Sequence, residues 1–203
     1  MSGRLTPDSF AQVHDQHRDR ILRYLHRLTR QAALAEDLTQ ETLFRASRAL
    51  ETFRGEAKLS TWLYRIATNV YLDHRRRESS RPAEALEWAQ RPEGLRDAAS
   101  LSVAGPRLPD RLFEDSEMGS CIREFVDRLP ADHSAVIILH DLEGLKNREI
   151  AGVLDCSLDA VKIRIHRARQ SLRTLLSKDC EFYYDERDVL RCDRKQSGNR
   201  CRS

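Results

Sequence analysis

Apolar residues recur at intervals of three and four over much of the chain, a period typical of amphipathic α-helices. In the first 80 residues this pattern predicts three helices, at residues 8–30, 33–50 and 60–77. Ser60 is expected to cap the third helix, because its hydroxyl can accept a hydrogen bond from an unpaired backbone N–H. Residues 51–59 lack a regular period and contain Gly55, so they are predicted to form a loop. We place a first helical domain at residues 8–80.

The third helix has two distinct faces. One face carries the apolar side chains expected in the core. The other follows steps of three and four residues through Trp62, Arg65, Asn69, Asp73 and Arg76. This second face is predicted to be available to a partner, and a run of basic residues extends it through Arg75, Arg76 and Arg77. The alternative interpretation of the basic run is that it complements the helix dipole and aids solubility.

Composition changes between residues 81 and 117. Proline and glycine interrupt every period there, and eight acidic residues stand against four arginines from residue 84 to residue 117. These properties predict a flexible acidic linker between two domains.

A second helical domain is predicted at residues 118–177, as a four-helix unit. Its last two helices are separated by the three residues Asp155, Cys156 and Ser157, which is the pattern of a helix-turn-helix. Ser157 is the predicted N-cap of the final helix. Asp155 stands where the turn is expected to need a left-handed residue.

The final helix is predicted to be strongly basic. Between Asp159 and Lys178 it carries six basic residues and no further acidic one, and its apolar stripe contains Val161, Ile165, Ala168 and Leu172. A basic helix of this kind suits a DNA groove, with its N-terminal half at the base edges. The alternative is an amphipathic helix whose basic face is only solvated.

Residues 178–203 form a tail with a predicted short β-hairpin, since two apolar groups flank a turn-like segment. The hairpin would bring Cys180 near Cys192, and with Cys201 these thiols are weak candidates for a soft-metal or redox site. Their spacings match no compact zinc motif, so a packed hairpin without a metal is the alternative.

Bulk properties narrow the class of protein. The 203 residues are 40% hydrophobic, 33% charged and only 6% aromatic, with a net charge of +3, which together with the periodicity predicts an all-α fold. No apolar run approaches about 18 residues and no signal-like start is present, so no membrane insertion and a cytoplasmic location are expected. Five cysteines in such a chain favour reduced thiols. No phosphate loop, nucleophile elbow or metal-ligand cluster is evident, and we predict neither an enzyme nor a cofactor.

Two blocks of sequence resemble the sigma factor family of bacterial RNA polymerase, in its small extracytoplasmic-function (ECF) class. The family's second conserved region is similar to AEDLTQETLFRASRAL and FRGEAKLSTWLYRIATNVYLDHRRR, in that order. Its fourth region is similar to LPADHSAVIILHDLEGLKNREIAGVLDCSLDAVKIRIHRARQSL. The resemblance implies a promoter-specificity subunit whose partners are core RNA polymerase, promoter DNA and an anti-sigma factor. The competing hypothesis is a stand-alone helix-turn-helix regulator.

The resemblance also implies roles for individual residues. Positions matching polymerase contacts are Asp37, Gln40 and Glu41, which from the residues alone would be a solvated helix start. Positions matching −10 recognition and melting are Phe53, Arg54, Lys58, Trp62, Arg65, Asn69, Asp73, Arg75, Arg76 and Arg77. Positions matching −35 recognition are Ser157, Lys162, Ile163, Arg164, His166 and Arg167.

Three positions depart from the family pattern. Lys146 stands where Ser or Thr is usual at the start of the helix-turn-helix, so Asn147 is expected to cap one position later. Ile163 offers only apolar contact, for example to a thymine methyl group. His166 replaces a residue that is often aromatic or apolar. Ile163 and His166 are therefore expected to influence which promoters the protein selects.

Overall fold

The computed structural model describes residues 7–50, 53, 55, 57–78, 117–187 and 190–195. Over these residues it contains seven helices and one two-stranded antiparallel sheet, so the predicted all-α class with a short C-terminal hairpin is confirmed. The predicted acidic linker, residues 81–117, lies outside the described residues up to its last residue. The helices are α1 Pro7–Thr29, α2 Ala32–Ala49, α3 Leu59–Glu78, α4 Glu117–Asp127, α5 Ala131–Ile137, α6 Asn147–Leu154 and α7 Leu158–Asp179. The strands are β1 Cys180–Tyr184 and β2 Leu190–Arg194.

The described residues divide into two compact units. One unit comprises α1, α2 and α3 together with residues 145–161, and therefore includes α6 and the first turn of α7. The other comprises α4, α5 and the chain from residue 162 onward. The domain bounds that the sequence motifs suggest do not follow this division and stay predictions.

Two tyrosines form the centre of the first unit. Tyr24 of α1 and Tyr64 of α3 are almost fully buried, with their rings edge to face and their centroids 5.0 Å apart. The Tyr24 hydroxyl and Thr68 Oγ1 are 2.8 Å apart, and Arg20 Nε donates to the Tyr64 hydroxyl at 2.8 Å. Because both hydroxyls have partners, the rings are buried without an unsatisfied polar group. Because Tyr64 and Thr68 hold one face of α3 in this core, the face that carries Arg65 and Asn69 lies on the surface.

Helix α3 begins one residue earlier than predicted. The Trp62 N–H donates to the Lys58 carbonyl at 3.1 Å, and Leu59 is already helical, so Ser60 lies inside the first turn. The prediction that Ser60 caps this helix is therefore wrong. Lys58 occupies the capping position, and its ammonium lies 2.8 Å from Glu149 of the same unit.

The second unit is built around α5. Val136 and Ile137 at its end are buried, as are Ile138 and Leu139 directly after it, which agrees with the consecutive apolar run in the sequence. The helix continues as a π-helical turn over Ile138–Leu142 and ends before Gly144, whose φ is +66°. Pro130 precedes α5 and lacks the N–H that a continuous helix from α4 would require.

The hairpin has a defined register. Cys180 pairs with Arg194 and Phe182 with Cys192, so the two cysteines lie on the same face at a diagonal. Both are buried, at 2% and 3% exposure respectively. No helix in the described part of the chain is both long and apolar enough to cross a membrane.

Candidate nucleic-acid interface

Two predicted −10 residues meet at the start of α3. The Phe53 and Trp62 rings are tilted by 46°, with their centroids 5.2 Å apart, and both side chains are half-buried. The Phe53 N–H donates to the Leu50 carbonyl at 3.1 Å, which holds the loop against the end of α2. Gly55 follows with a φ of +71°, a conformation that L side chains rarely adopt. The loop thus presents an aromatic pair of the kind on which nucleic-acid bases stack. Arg54 lies outside the described residues.

The polar stripe of α3 is on the surface, as predicted. Arg65, Asn69, Arg75, Arg76 and Arg77 are exposed, and Asp73 is half-buried. Arg75 lies 3.6 Å from Glu78 of its own helix. The stripe combines cations, an amide and an aromatic end, which are groups that contact phosphates and bases.

Two cations at the start and on the polar stripe of α3 form ion pairs with carboxylates of residues 145–161. The Lys58 ammonium lies 2.8 Å from Glu149, and the Arg65 guanidinium lies 2.8 Å from Asp155. The hydrogen bond from Lys58, with that from the Lys146 N–H, lowers the pKa of Glu149. Residues separated by about ninety positions are therefore adjacent on one surface.

Asp73 belongs to a network that the sequence did not predict. It accepts hydrogen bonds from Arg45 of α2 at 3.3 Å and from Arg76 at 2.8 Å. Arg45 also donates to Glu41 at 2.6 Å. One arginine thus joins Glu41, a predicted polymerase contact, to Asp73, a predicted DNA contact. The hydrogen bonds that Arg45 donates to Glu41 and Asp73 raise the pKa of its guanidinium.

The predicted polymerase contacts lie on the outer face of α2. Asp37 and Gln40 are exposed, and Glu41 is half-buried beside Arg45. The same face carries Phe44, whose side chain is 57% exposed. This residue was not predicted to be functional, although an apolar side chain four positions after Gln40 on a polar helix face was a signal. An exposed aromatic next to charged residues is typical of an interaction surface.

The turn before α7 has the predicted geometry. Asp155 is left-handed, with φ 51° and ψ 53°, and the Ala160 N–H donates to Ser157 Oγ at 3.1 Å. The predictions for the Asp155 conformation and the Ser157 cap are therefore confirmed. Val161, Ile165, Ala168 and Leu172 are all buried, as their spacing predicted.

The predicted −35 residues lie on the remaining surface of α7. Lys162 is exposed, and Ile163, Arg164, His166 and Arg167 are half-buried. His166 Nε2 is buried and makes no hydrogen bond within the described residues.

The start of α6 differs from the prediction. The Lys146 N–H donates to Glu149 Oε2 at 3.0 Å, so the cap comes from the carboxylate three residues onward. Asn147 is the first helical residue, and its buried Oδ1 has no partner among the described residues. The prediction that Asn147 caps α6 is wrong, because Glu149 can reach back to the free N–H that Lys146 presents.

The tail cysteines form no metal centre in the part of the chain that the structure describes. Cys180 and Cys192 are buried thiols, and Cys201 lies outside that part. No group of three or more histidine, cysteine or acidic side chains is arranged there to hold a metal ion. Cys121 of α4 accepts a hydrogen bond from Arg194 at 3.5 Å, so the hairpin packs against that helix.

Comparison with known proteins gives matches over both helical regions. Residues 13–81 match the family described as Sigma-70 region 2, and residues 120–172 match that described as Sigma-70, region 4. The chain is 37% identical to the ECF RNA polymerase sigma factor SigE of Mycolicibacterium smegmatis over 170 residues, or 84% of this chain and 62% of SigE. It is 34% identical to the ECF RNA polymerase sigma factor SigW of Bacillus subtilis over 169 residues, or 83% of this chain and 89% of SigW.

A solved structure shares the fold. The sigma factor RpoE of Bartonella quintana, crystallised with the anti-sigma factor NepR, superposes with a TM-score of 0.56 at 23% identity, covering 85% of this chain and 99% of RpoE. At this identity the likeness concerns the fold alone.

Proposed function

The chain belongs to the ECF class of RNA polymerase sigma factors, and from this premise we propose that it is a dissociable, non-catalytic specificity subunit that binds core RNA polymerase and directs it to promoters. The observation that carries the proposal is the aromatic pair Phe53 and Trp62 at the head of the exposed polar stripe of α3, inside the region that matches Sigma-70 region 2. The same chain carries a capped basic helix inside its Sigma-70 region 4 match.

The outer face of α2 is the proposed polymerase contact. Asp37, Gln40 and Glu41 supply polar groups, and Phe44 supplies the exposed aromatic that interface hot spots commonly require. Arg48 lies over the Phe44 ring, with its guanidinium carbon 5.7 Å from the ring centroid. The face therefore combines an aromatic anchor with a charged rim.

The loop at Phe53 and the stripe of α3 are the proposed −10 reader. Bases of the non-template strand would stack on Phe53 and Trp62, with the Asn69 amide available to a base edge. Arg54, Lys58, Arg65, Arg75, Arg76 and Arg77 would track the phosphates. Asp73, which accepts hydrogen bonds from Arg45 and Arg76, would orient Arg76 and not contact a base directly.

Helix α7 is the proposed −35 reader. Ser157 caps the helix at the end that would enter the major groove, where the positive end of the helix dipole suits a phosphate. Lys162, Arg164 and Arg167 would contact bases and phosphates, while Ile163 and His166 would set sequence preference. Such a protein works where the polymerase is, in the cytoplasm. An anti-sigma partner is part of the proposal, as for RpoE of Bartonella quintana.

The polymerase contact is tested by measuring affinity for purified core enzyme. Phe44→Ser should weaken binding roughly thirty-fold, because loss of an interface anchor costs about 2 kcal/mol or more. Tyr184→Ser is a matched control, since Tyr184 is 61% exposed and lies on the hairpin. Equal affinities of the wild type and Phe44→Ser for core enzyme would contradict this use of α2.

A further inference from the structure

The C-terminal hairpin is fixed to helix α4 and to the end of α7. Arg194 of β2 forms an ion pair with Glu124 of α4, and its guanidinium carbon lies 5.6 Å from the centroid of the Phe125 ring. The Lys195 N–H donates to the Asp179 carbonyl at 2.9 Å. These contacts make the hairpin a preformed surface, which lowers the entropic cost of binding a partner. It lies beyond the residues that match Sigma-70, region 4.

Four side chains form the outer face of the hairpin. Cys180 and Cys192 are buried on its inner face, and successive residues of a strand point to opposite faces. The outer face therefore consists of Glu181, Tyr183, Arg191 and Asp193. In the register of the two strands, Glu181 is directly opposite Asp193, and Tyr183 is opposite Arg191.

The two acidic residues of this outer face lack a cation. Like charges directly opposite each other destabilise an antiparallel pair of strands. Asp193 Oδ1 is buried and has no hydrogen-bond donor among the described residues. The nearest cations along the chain are used elsewhere, since Arg191 donates to Asp185 at 2.9 Å and Lys195 to the Ser177 carbonyl at 2.7 Å. A buried carboxylate oxygen without a donor is costly, so the outer face favours an incoming cation.

Exposed aromatic rings lie beside the acidic pair. Among the described residues, the large apolar side chains that remain exposed are Phe44, Tyr183 at 43% and Tyr184 at 61%. Phe44 lies on the proposed polymerase contact, whereas the two tyrosines lie outside both family matches. Tyrosine is enriched among the residues that dominate binding energy at protein interfaces. A ring beside two carboxylates suits a partner that brings an apolar side chain together with a cation.

The charge of the outer face indicates the class of partner. Two carboxylates repel phosphates, which disfavours nucleic acid, whereas one arginine or lysine can donate to both of them. The χ2 torsion of aspartate is broad, so the Asp193 carboxylate can turn either oxygen toward a donor. The hairpin follows the 22 residues of α7, about 33 Å along the helix axis from the end that is proposed to enter the major groove. A partner on the hairpin is therefore compatible with −35 binding.

We propose that the outer face of the hairpin, with Tyr184 at its end, is a docking surface for a basic segment of a protein partner other than core polymerase. The segment places an arginine or lysine on Glu181 and Asp193 and an apolar side chain on Tyr183. The acidic pair lowers the stability of the free chain and is compensated when the partner binds. The inference does not depend on the proposed polymerase and promoter contacts, because none of them uses the hairpin.

Peptide binding to the full-length chain tests the acidic pair. The probe is a fluorescein-labelled octapeptide in which four arginines alternate with four leucines, compared with the same peptide carrying glutamate in place of arginine. Glu181→Gln/Asp193→Asn should weaken binding of the arginine peptide about tenfold or more, because charge-assisted hydrogen bonds are lost. Asp15→Asn/Asp19→Asn is the control, since both residues are exposed on α1 and the charge change is the same. Equal losses in the two double variants, or equal binding of the two peptides, would overturn the proposal.

The contribution of the ring is measured with the same arginine peptide. Tyr183→Ser should weaken binding about three- to tenfold, because an aromatic contact is lost. Tyr183→Phe should retain the affinity of the wild type, since it keeps the ring. Unchanged binding by Tyr183→Ser would contradict the proposed contact.

Urea unfolding distinguishes a docking surface from a structural role of the two carboxylates. Glu181→Gln/Asp193→Asn should raise the urea midpoint of the free chain, because it removes a like-charge pair. A lower midpoint would show that the carboxylates already have stabilising partners within the chain, and it would overturn the proposal.

Two further measurements identify the occupant. Removal of residues 196–203, which carry Arg200 and Arg202, should leave the affinity for the arginine peptide unchanged. A tenfold gain would show that these residues of the chain itself occupy the surface. Glu181→Gln/Asp193→Asn should bind purified core polymerase as tightly as the wild type, and a tenfold loss would assign the hairpin to the polymerase contact. Either result would overturn the assignment to a separate partner.

Discussion

Arg45 of α2 donates a hydrogen bond to the Asp73 carboxylate of α3 across 3.3 Å, while its Nε donates to Glu41 at 2.6 Å. One guanidinium thus joins α2, the proposed polymerase contact, to α3, the proposed DNA contact. An arginine suits this position because its planar fork can serve two carboxylates at once.

Arg45→Gln should reduce the free energy of unfolding by about 1 kcal/mol, because it leaves two carboxylates without their common partner at a half-exposed site. Urea unfolding at neutral pH measures the change. Arg23→Gln, a substitution of an exposed arginine on α1, is the control and should change little. An Arg45→Gln protein as stable as the control would show that the bridge contributes nothing to the α2–α3 arrangement.

Helix α7 is expected to select promoters through residues of different chemistry. Arg167→Ala should lower −35-dependent transcription by about tenfold, since one base or phosphate contact is worth about 1–3 kcal/mol. Ile163→Asn should change the preferred −35 sequence with a smaller loss on the best site. Transcription by holoenzyme on promoters with a randomised −35 element measures both effects. Gln170→Ala, at an exposed position of the same helix, should leave the preference unchanged, and an identical sequence profile for Ile163→Asn would argue against base contact there.

The free energy of unfolding should depend on pH through the ionisation of Asp141. Burial disfavours its charged form, but hydrogen bonds from His140, at 2.6 Å, and from Arg169 outweigh this effect and lower its pKa. A lowered pKa means that the stabilisation is present above the ordinary pKa of the carboxyl and is lost as pH falls through the folded value. Asp141→Asn should therefore cost about 1–3 kcal/mol at pH 7 and progressively less below about pH 4. The two proteins should be compared by urea unfolding across that range, and a difference that stays constant with pH would rule out the ionic origin.

Local features were predictable and long-range pairings were not. The bounds of α1 and α2 fell within one residue of the predicted ones, because helical period is a property of neighbouring residues. The Ser157 cap and the Asp155 turn were equally local. Asn147 was assigned wrongly as a cap because the outcome depended on whether the Glu149 side chain turned back toward Lys146.

At the candidate site, too, local features were predictable and long-range pairings were not. The outward stripe of α3 followed from its spacing, whereas the contact between Phe53 and Trp62 was not predicted. The ion pairs of Lys58 with Glu149 and Arg65 with Asp155 join segments about ninety residues apart, and no local pattern encodes such a pairing. Phe44 was overlooked because one exposed apolar side chain has no meaning until its neighbours on the surface are known.

Transcription in vitro is the most direct test of the central claim. Purified core polymerase, the full-length chain and a library of random promoter fragments should give transcripts from discrete start sites that share a −10 and a −35 element. These transcripts should require both proteins, and permanganate should detect unpaired thymines at −10, with less reactivity for Asn69→Ala because an exposed amide of the proposed reader is lost. A chain that yields no transcripts beyond core enzyme alone, but protects promoter DNA tightly without polymerase, would contradict the sigma factor function and favour a stand-alone regulator.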